Sequence, residues 1–507
     1  MCYVSINPPC RRRSVDVGGL FLATDNDGHG HGWMGDEELH TPYAELLSDM
    51  HVETLNAVHL HSAEYIPVDL HPASRNRLIE QLDDWHFEPH KQSEEHVLAC
   101  ALLLFEVLFR MEGMQAAVGI SMQEISPFVH HLQQIYRLEN SYHNFVHAVD
   151  VLQALHTFLQ SAGMVPSPSI LHNEHATWRL QARDSEPLVN CFSLSDVFIL
   201  YVAAIGHDLG HPGFTNLFMK NAATPLSVVF DGKSALEQMH CQLLLRVMRQ
   251  HGLGGLLDCP SQGPHLRKLL WKSVMATDMS IHSDFMTRFG CLLSNPSKFT
   301  WEERQVLLGQ ALLKCSDISN PSRPYIISQH WATALMVEWT SQAMLEEHFS
   351  LPSTVNACVD SVAEAASQVF FIQTFAKPLL DLMVRAIPEM DCYLQQCERN
   401  LERWHDRQRG GASSPKYNKT SFLNPLLPEE FMTAFPLTLP CYELQSVTDS
   451  SVCSDPSSPC ESLSSAGFSP PTLAFPPSQL SCSAIRAAGK AGARKPRSVS
   501  RRSWGCP

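Results

Sequence analysis

Val197-Phe198-Ile199-Leu200-Tyr201-Val202-Ala203-Ala204-Ile205-Gly206 runs directly into His207-Asp208-Leu209-Gly210-His211-Pro212-Gly213. The first part is an apolar run of about ten residues, too short to span a bilayer. It reads as a helix buried on every side. Ending such a run on His-Asp-x-x-His is costly, because charged and polar groups must be desolvated beside a core. A divalent cation held by the carboxylate and neutral imidazoles offsets that cost. The competing reading, a surface helix end with incidental polar residues, fits poorly behind so apolar a run.

Working outward, the same helical patterning recurs. HVLACALLLFEVLFRM reads as a long, mostly buried helix, and SPFVHHLQQIYRL as a helix started by a Ser126-Pro127 cap. Further helices are expected at NFVHAVDVLQALHTFLQ, SALEQMHCQLLLRVMRQH, PHLRKLLWKSVMATD, ERQVLLGQALLKCSD and SQHWATALMVEWTSQAMLEEHF, then from Asn356 to about Arg407. Alternating strand patterns bounded by Asn-Gly turns are hard to find. The expectation is an all-α fold of many packed helices, one continuous domain of roughly 320 residues. Residues 161–190 read as a loop from their Pro, Ser and charged content. Residues 1–84 form a polar lead-in, partly disordered, with lead-in helices. His29 and His31 there are candidates for adventitious metal only, and the DNDG stretch lacks the acidic residue that closes a calcium loop. Residues 411–442 form an extension, and the Ser/Pro-rich tail 443–507 reads as disordered with a basic end.

Lys plus Arg number 37 against 52 Asp plus Glu, a formal charge of −15, which argues against nucleic-acid or membrane-surface binding. Hydrophobic residues at 44% supply a sizeable core. The 16 cysteines include no Cys-x2-Cys pair, and no secretory signal opens the chain, so a reduced, cytoplasmic enzyme is expected. The 26 histidines prompt a search for metal-ligand spacing.

Three more segments carry chemistry. In Tyr142-His143-Asn144-Phe145-Val146-His147 the two histidines stand at i and i+4. On a helix they would share a face, one free to ligate a metal and the other to meet a substrate; taken alone, the pair reads more often as half-buried helix histidines. Asp317-Ile318-Ser319-Asn320-Pro321 again ends an apolar helix, so Asp317 is either a metal ligand or a cap. Ser367-Gln368-Val369-Phe370-Phe371-Ile372 puts a glutamine among aromatics, suited to a backbone hydrogen bond or to reading a planar base. A mixed His/Asp shell suits zinc paired with magnesium or manganese, and two such ions suit phosphate-ester hydrolysis.

In this order, YHNFVH, HDLGHPGFTNLF, ATDMSIH, CSDISNPSRP and SQVFFI resemble the catalytic domain of class I 3′,5′-cyclic nucleotide phosphodiesterases. The likeness covers roughly residues 85–410. Gly210 stands where many animal members carry Asp, and with FMKNAATPLSVVFDGKSALEQMH the chain looks most like the fungal high-affinity cyclic AMP enzymes. The resemblance implies an all-α domain of about sixteen helices. It implies His147, His207, Asp208 and Asp317 as ligands of a tightly held zinc, with Asp208 also reaching a second ion, magnesium or manganese. A bridging hydroxide would then attack phosphorus in line, with His143 protonating O3′ and Glu338 orienting that imidazole. His211, Glu237, Thr277 and Asp278 would hold water around the ions. Gln368 would bond the purine, Phe371 and Leu335 would clamp it, and Tyr142, Asn320, Met279 and Ile318 would complete the pocket. Trp339 stands where the family often has Phe.

Two alternatives stay open on the residues alone. The His-Asp pair also permits another HD-type nucleotide phosphohydrolase, although no basic triphosphate cradle is evident. A non-catalytic nucleotide-binding scaffold would lack His143 or a ligand, and both are present. In the tail, Ser498 and Ser500 follow Lys495 and Arg497 by three residues, the pattern of a basophilic kinase substrate.

Overall fold

The computed structural model describes residues 54, 56–58, 70–180, 188–348, 350–355 and 361–410. These all fall in the first of two units, Met1–Cys441; the second, Tyr442–Pro507, lies outside the described residues. Also outside them are His29, His31, the DNDG stretch, the extension 411–442 and the tail with Ser498 and Ser500.

The described residues are helical, with no strand beyond one parallel bridge between Met111 and Trp178. The long helices are α1 (Pro72–Asp83), α2 (Glu94–Phe109), α3 (Met122–Ile135), α4 (Phe145–Ser161), α5 (Leu194–Gly206), α6 (Ala235–Gln250) and α7 (Gly263–Met275). After them come α8 (His282–Ser294), α9 (Trp301–Asp317), α10 (Tyr325–His348), α11 (Ser361–Phe371), α12 (Lys377–Ala386) and α13 (Asp391–Gly410).

The apolar run Val197–Gly206 lies in α5, buried from Ser195 to Gly206. Ser193 and Asp196 form a reciprocal capping box at its start. It packs against α4, α7 and α9. Each of its large apolar side chains contributes about 1.5–3 kcal/mol by leaving water. Close approach needs a small residue at the crossing. A Cβ on Gly309 of α9 would lie 2.6 Å from Leu269 of α7 and 3.2 Å from Leu200 of α5. With α5 held in the centre, its C-terminal end delivers His207 and Asp208 to one end of the helix pack.

Three expectations need correction. Ser126-Pro127 does not start a helix: α3 begins at Ser121, whose hydroxyl and Glu124 form a capping box, and Pro127 lies inside. The box satisfies two orphan donors, so the helix starts earlier and tolerates the single bond the proline forfeits. The 161–190 stretch contains 3-10 turns at Pro168–His172 and Leu188–Cys191; residues 181–187 lie outside the described part. The stretch toward Arg407 is broken twice, by a π-turn at Ile372–Ala376 ahead of Pro378 and by a 3-10 turn at Pro388–Met390. Proline cannot donate to the preceding turn, so the ladder reorganises there. No helix among the described residues is long and apolar enough to cross a membrane.

Candidate active site

His143 is not on a helix with His147. Asn144 caps α4, its side chain accepting the His147 N–H at 3.1 Å, so Tyr142 and His143 lie in the turn before it. The rings of His143 and His147 nevertheless sit 6.3 Å apart. The Nδ1 of His143 bonds Glu338 of α10, and the other Glu338 oxygen accepts the backbone N–H groups of Tyr142 (3.1 Å) and His143 (3.2 Å). Burial opposes charging the imidazole, but the Glu338 carboxylate, with Asp208 and Asp317 beyond, raises its pKa to about 9.

α4, the end of α5 and the end of α9 bring His147, His207, Asp208 and Asp317 together. Nε2 of His207 is 3.2 Å from Asp208 Oδ2 and 3.3 Å from Asp317 Oδ1. Nε2 of His147 is 3.3 Å from Asp317 Oδ1 and 3.9 Å from Asp208 Oδ2. His207 Nδ1 donates to the Ala204 carbonyl at 2.9 Å, which turns its Nε2 lone pair into the cluster. That Nε2 is buried and makes no hydrogen bond. An orphaned imidazole nitrogen facing two carboxylates is the donor set of a divalent cation, so these residues fit a metal. His147, His207 and Asp208 present ligand atoms within 4.8 Å of one another. Without a cation, burial opposes all these charges. Even so, the carboxylates raise His207 well above the usual imidazole range, and His207 together with His147 and other neighbouring histidines pulls Asp208 and Asp317 below the carboxylate range.

His211 stacks on His143, ring centroids 4.0 Å apart, and its Nδ1 accepts the Gly213 N–H at 3.0 Å. Its Nε2 therefore carries the proton and can donate, not ligate. Glu237 of α6 accepts two bonds from Asn216, at 2.9 and 3.2 Å; burial and the nearby Asp278 raise its pKa to about 8. Thr277 spends its hydroxyl on the Val274 carbonyl at 2.8 Å, and Asp278 accepts from Ser234 (2.5 Å) and the Ser280 N–H (2.7 Å).

Beside this cluster, Tyr142 is buried against Trp331 and His147, and its hydroxyl accepts from Asn320 Nδ2 at 2.6 Å. Leu335 packs on the small apolar cluster of Tyr142, Ile327, Trp331 and Ala334. Phe371 packs instead on the main core, 5.7 Å from Phe375, so the two proposed clamp residues rest on separate walls. Gln368 and Ile318 are buried, and Met279 Sδ lies 3.5 Å from Lys314 Nζ.

The sequence reading missed four supports. His240 stands one turn past Glu237 on α6. Its Nδ1 donates to Leu209 O at 2.7 Å, and its Nε2 is 3.9 Å from Asp208. That i, i+3 spacing in SALEQMH was the available signal. Asn140 donates to the carbonyls of His143 (2.8 Å) and His211 (2.9 Å), joining the two histidine turns. Arg323, fully buried, pairs with Asp150 of α4 at 3.0 Å and lies 3.8 Å over the Trp85 ring. Lys314 donates to Ala276 O at 2.6 Å.

The sequence profile described as 3′5′-cyclic nucleotide phosphodiesterase matches residues 142–397, half of the chain and every element that builds this site. The chain belongs to the 3′,5′-cyclic nucleotide phosphodiesterase family. Similar proteins include the "3′,5′-cyclic-nucleotide phosphodiesterase regA" of Dictyostelium discoideum, 29% identical over 64% of this chain and 38% of that protein. The human "High affinity cGMP-specific 3′,5′-cyclic phosphodiesterase 9A" is 26% identical over 64% of this chain and 50% of its own. The chain thus spans half or less of the length of those two curated relatives. Among solved structures, yeast caPDE2 aligns at TM-score 0.58 and 25% identity over 72% of this chain and 75% of that one. The phosphodiesterase domain of the Salpingoeca rosetta RhoPDE fusion protein shares the fold at TM-score 0.56 and 21% identity, covering 67% and 99%.

Proposed function

We propose that this phosphodiesterase hydrolyses 3′,5′-cyclic nucleotides, cyclic AMP foremost, to 5′-monophosphates, lowering cyclic nucleotide signals. The observation that carries the reading is the meeting of His147, His207, Asp208 and Asp317 around an orphaned imidazole nitrogen, beside His143 held by Glu338. These four residues would hold zinc, and Asp208 would also serve magnesium or manganese. When bound, the two ions supply Lewis acidity to the phosphate and lower the pKa of the attacking water.

The remaining work belongs to side chains. Glu338, itself fixed by two backbone N–H groups, binds His143 Nδ1 and leaves Nε2 to carry a proton to the departing O3′. His211, Glu237, Thr277 and Asp278 orient water. Gln368 bonds the purine between Phe371 and Leu335, with Tyr142, Asn320, Met279 and Ile318 lining the pocket. The choice of cyclic AMP rests on likeness to the fungal high-affinity enzymes. Residues 85–410 are read as the catalytic domain, 1–84 as a lead-in, 411–442 as an extension and 443–507 as a tail open to a basophilic kinase. The acidic balance disfavours nucleic-acid and membrane-surface binding, and the scattered cysteines fit a reduced, cytoplasmic setting.

The test is hydrolysis of cyclic AMP and cyclic GMP with and without chelator. Expected is turnover that chelation abolishes and added zinc with magnesium restores, with cyclic AMP preferred. Chelator-insensitive turnover, or none of either nucleotide, sinks the reading.

A further inference from the structure

Residues 54 and 56–58 lie outside the stretch matched by the family profile, yet Thr54 packs at the back of the candidate metal turn. Gly210 sits in that turn between Asp208 and His211, with φ +74°, a backbone state that L side chains seldom adopt. A Cβ there would fall 2.8 Å from Thr54 Cγ2 and 2.8 Å from Leu243 Cδ1, closer than real carbon contacts allow. The space a side chain at 210 would take is filled by the Thr54 methyl from one side and by α6 from the other. Thr54 is 5% exposed and Val58 is fully buried in the main core.

The segment is also tied down by its backbone. His131 of α3 bonds the Ala57 carbonyl through Nε2 at 3.0 Å, and its Nδ1 meets His251 Nε2 at 2.9 Å. Gln250, at the end of α6, donates to the Val58 carbonyl at 3.1 Å. The segment therefore bridges α3 and α6 while its threonine touches the turn carrying Asp208 and His211.

We propose that residues 54 and 56–58 form a positioning strap for the metal-ligand turn, with Thr54 as the positioning residue that sets Gly210 and so Asp208. The turn closes through Leu209 N–H to Gly206 O at 3.3 Å and His211 N–H to Asp208 O at 3.0 Å, while Asn140 and His240 hold its outer carbonyls, so Gly210 itself is supported by packing. The turn's ligand geometry depends on what is packed behind it, and loss of such support characteristically weakens metal binding. The proposal rests on the metal-dependent reading above, but its test does not depend on activity alone.

The experiment uses the full chain loaded with zinc, in four forms: wild type, Thr54→Gly, Thr54→Ser and Leu292→Ala. The last removes a buried side chain of α8, away from the turn. Zinc release to a chromogenic chelator, the melting temperature of the metal-free protein, and kcat and KM are measured. Thr54→Gly is expected to release zinc about ten-fold faster, as when support behind a ligand is lost. Its kcat should fall with KM held within about two-fold. Thr54→Ser keeps the hydroxyl and loses only the γ-methyl that meets Gly210, and should also release zinc faster than wild type. Leu292→Ala should melt earlier yet keep zinc and kcat. Wild-type zinc release in Thr54→Gly or in Thr54→Ser overturns the strap, as does equal zinc loss in Leu292→Ala. If the wild type hydrolyses no cyclic nucleotide, the functional reading fails by itself and zinc release still judges the strap.

Discussion

At the scale of the residue, His143 and Asp317 should separate cleanly. His143→Ala removes the proposed proton donor without touching the orphaned nitrogen of His207, so turnover should fall by about 10²–10⁴-fold with zinc content unchanged. Asp317→Ala withdraws a carboxylate facing both His147 and His207, and zinc content and melting temperature should drop together. Metal analysis beside the kinetic assay distinguishes them. The His143–Glu338 pair also makes a pH prediction for the metal-free protein. With a folded pKa of about 9 against 6.5 unfolded, its stabilisation is full below pH 6.5 and lost as pH rises through about 9. The melting-temperature gap between wild type and His143→Gln, measured in chelator, should therefore be wide at pH 6 and narrow above pH 9. A gap that widens with pH refutes the pairing.

At the scale of the element, Lys314 shows how one helix sets the shape of a neighbouring turn. Its ammonium, buried on α9, donates to the carbonyls of Ala276 (2.6 Å) and Asp278 (3.4 Å), the turn bearing Thr277, Asp278 and Met279. Burial pulls its pKa down to about 8. Lys314→Met keeps the apolar stem and loses both bonds, so unfolding in urea should show a loss of about 1–3 kcal/mol. KM should rise more than kcat falls, because the proposed pocket wall moves while His143 does not. α10 acts similarly along one face: Gln342 and Glu346, one and two turns beyond Glu338, bond Thr215 and Thr354. The helix that orients His143 thus also holds the chain just past His211.

At the scale of the molecule, the decisive contacts join residues far apart in the chain. Arg323 reaches Asp150 across 173 positions and stacks on Trp85, while Asn400 of α13 bonds the Pro321 and Arg323 carbonyls, each at 2.7 Å. Asp150→Ala strands a fully buried guanidinium and should cost about 3–5 kcal/mol, read from urea unfolding. A loss below about 1 kcal/mol would mean the charge finds water, as an exposed pair does.

Local patterning carried the helical architecture and the candidate ligands, because burial forces a helix to write its apolar faces into the chain: α5 is legible from Val197 to Gly206, and the polar cluster beyond it is conspicuous for interrupting a core. The start of α3 after Ser121 and the Asn144 cap ahead of α4 obey capping chemistry, but Ser126-Pro127 and the His-x3-His spacing are competing local signals that the sequence alone does not rank. Only the tertiary structure decided that His143 leaves the helix to meet Glu338, that His240 stands behind Asp208, that Arg323 finds Asp150, and that Thr54 closes on Gly210. Those pairings depend on where distant helices cross, and a one-dimensional pattern records which face of each helix is buried without recording which partner covers it.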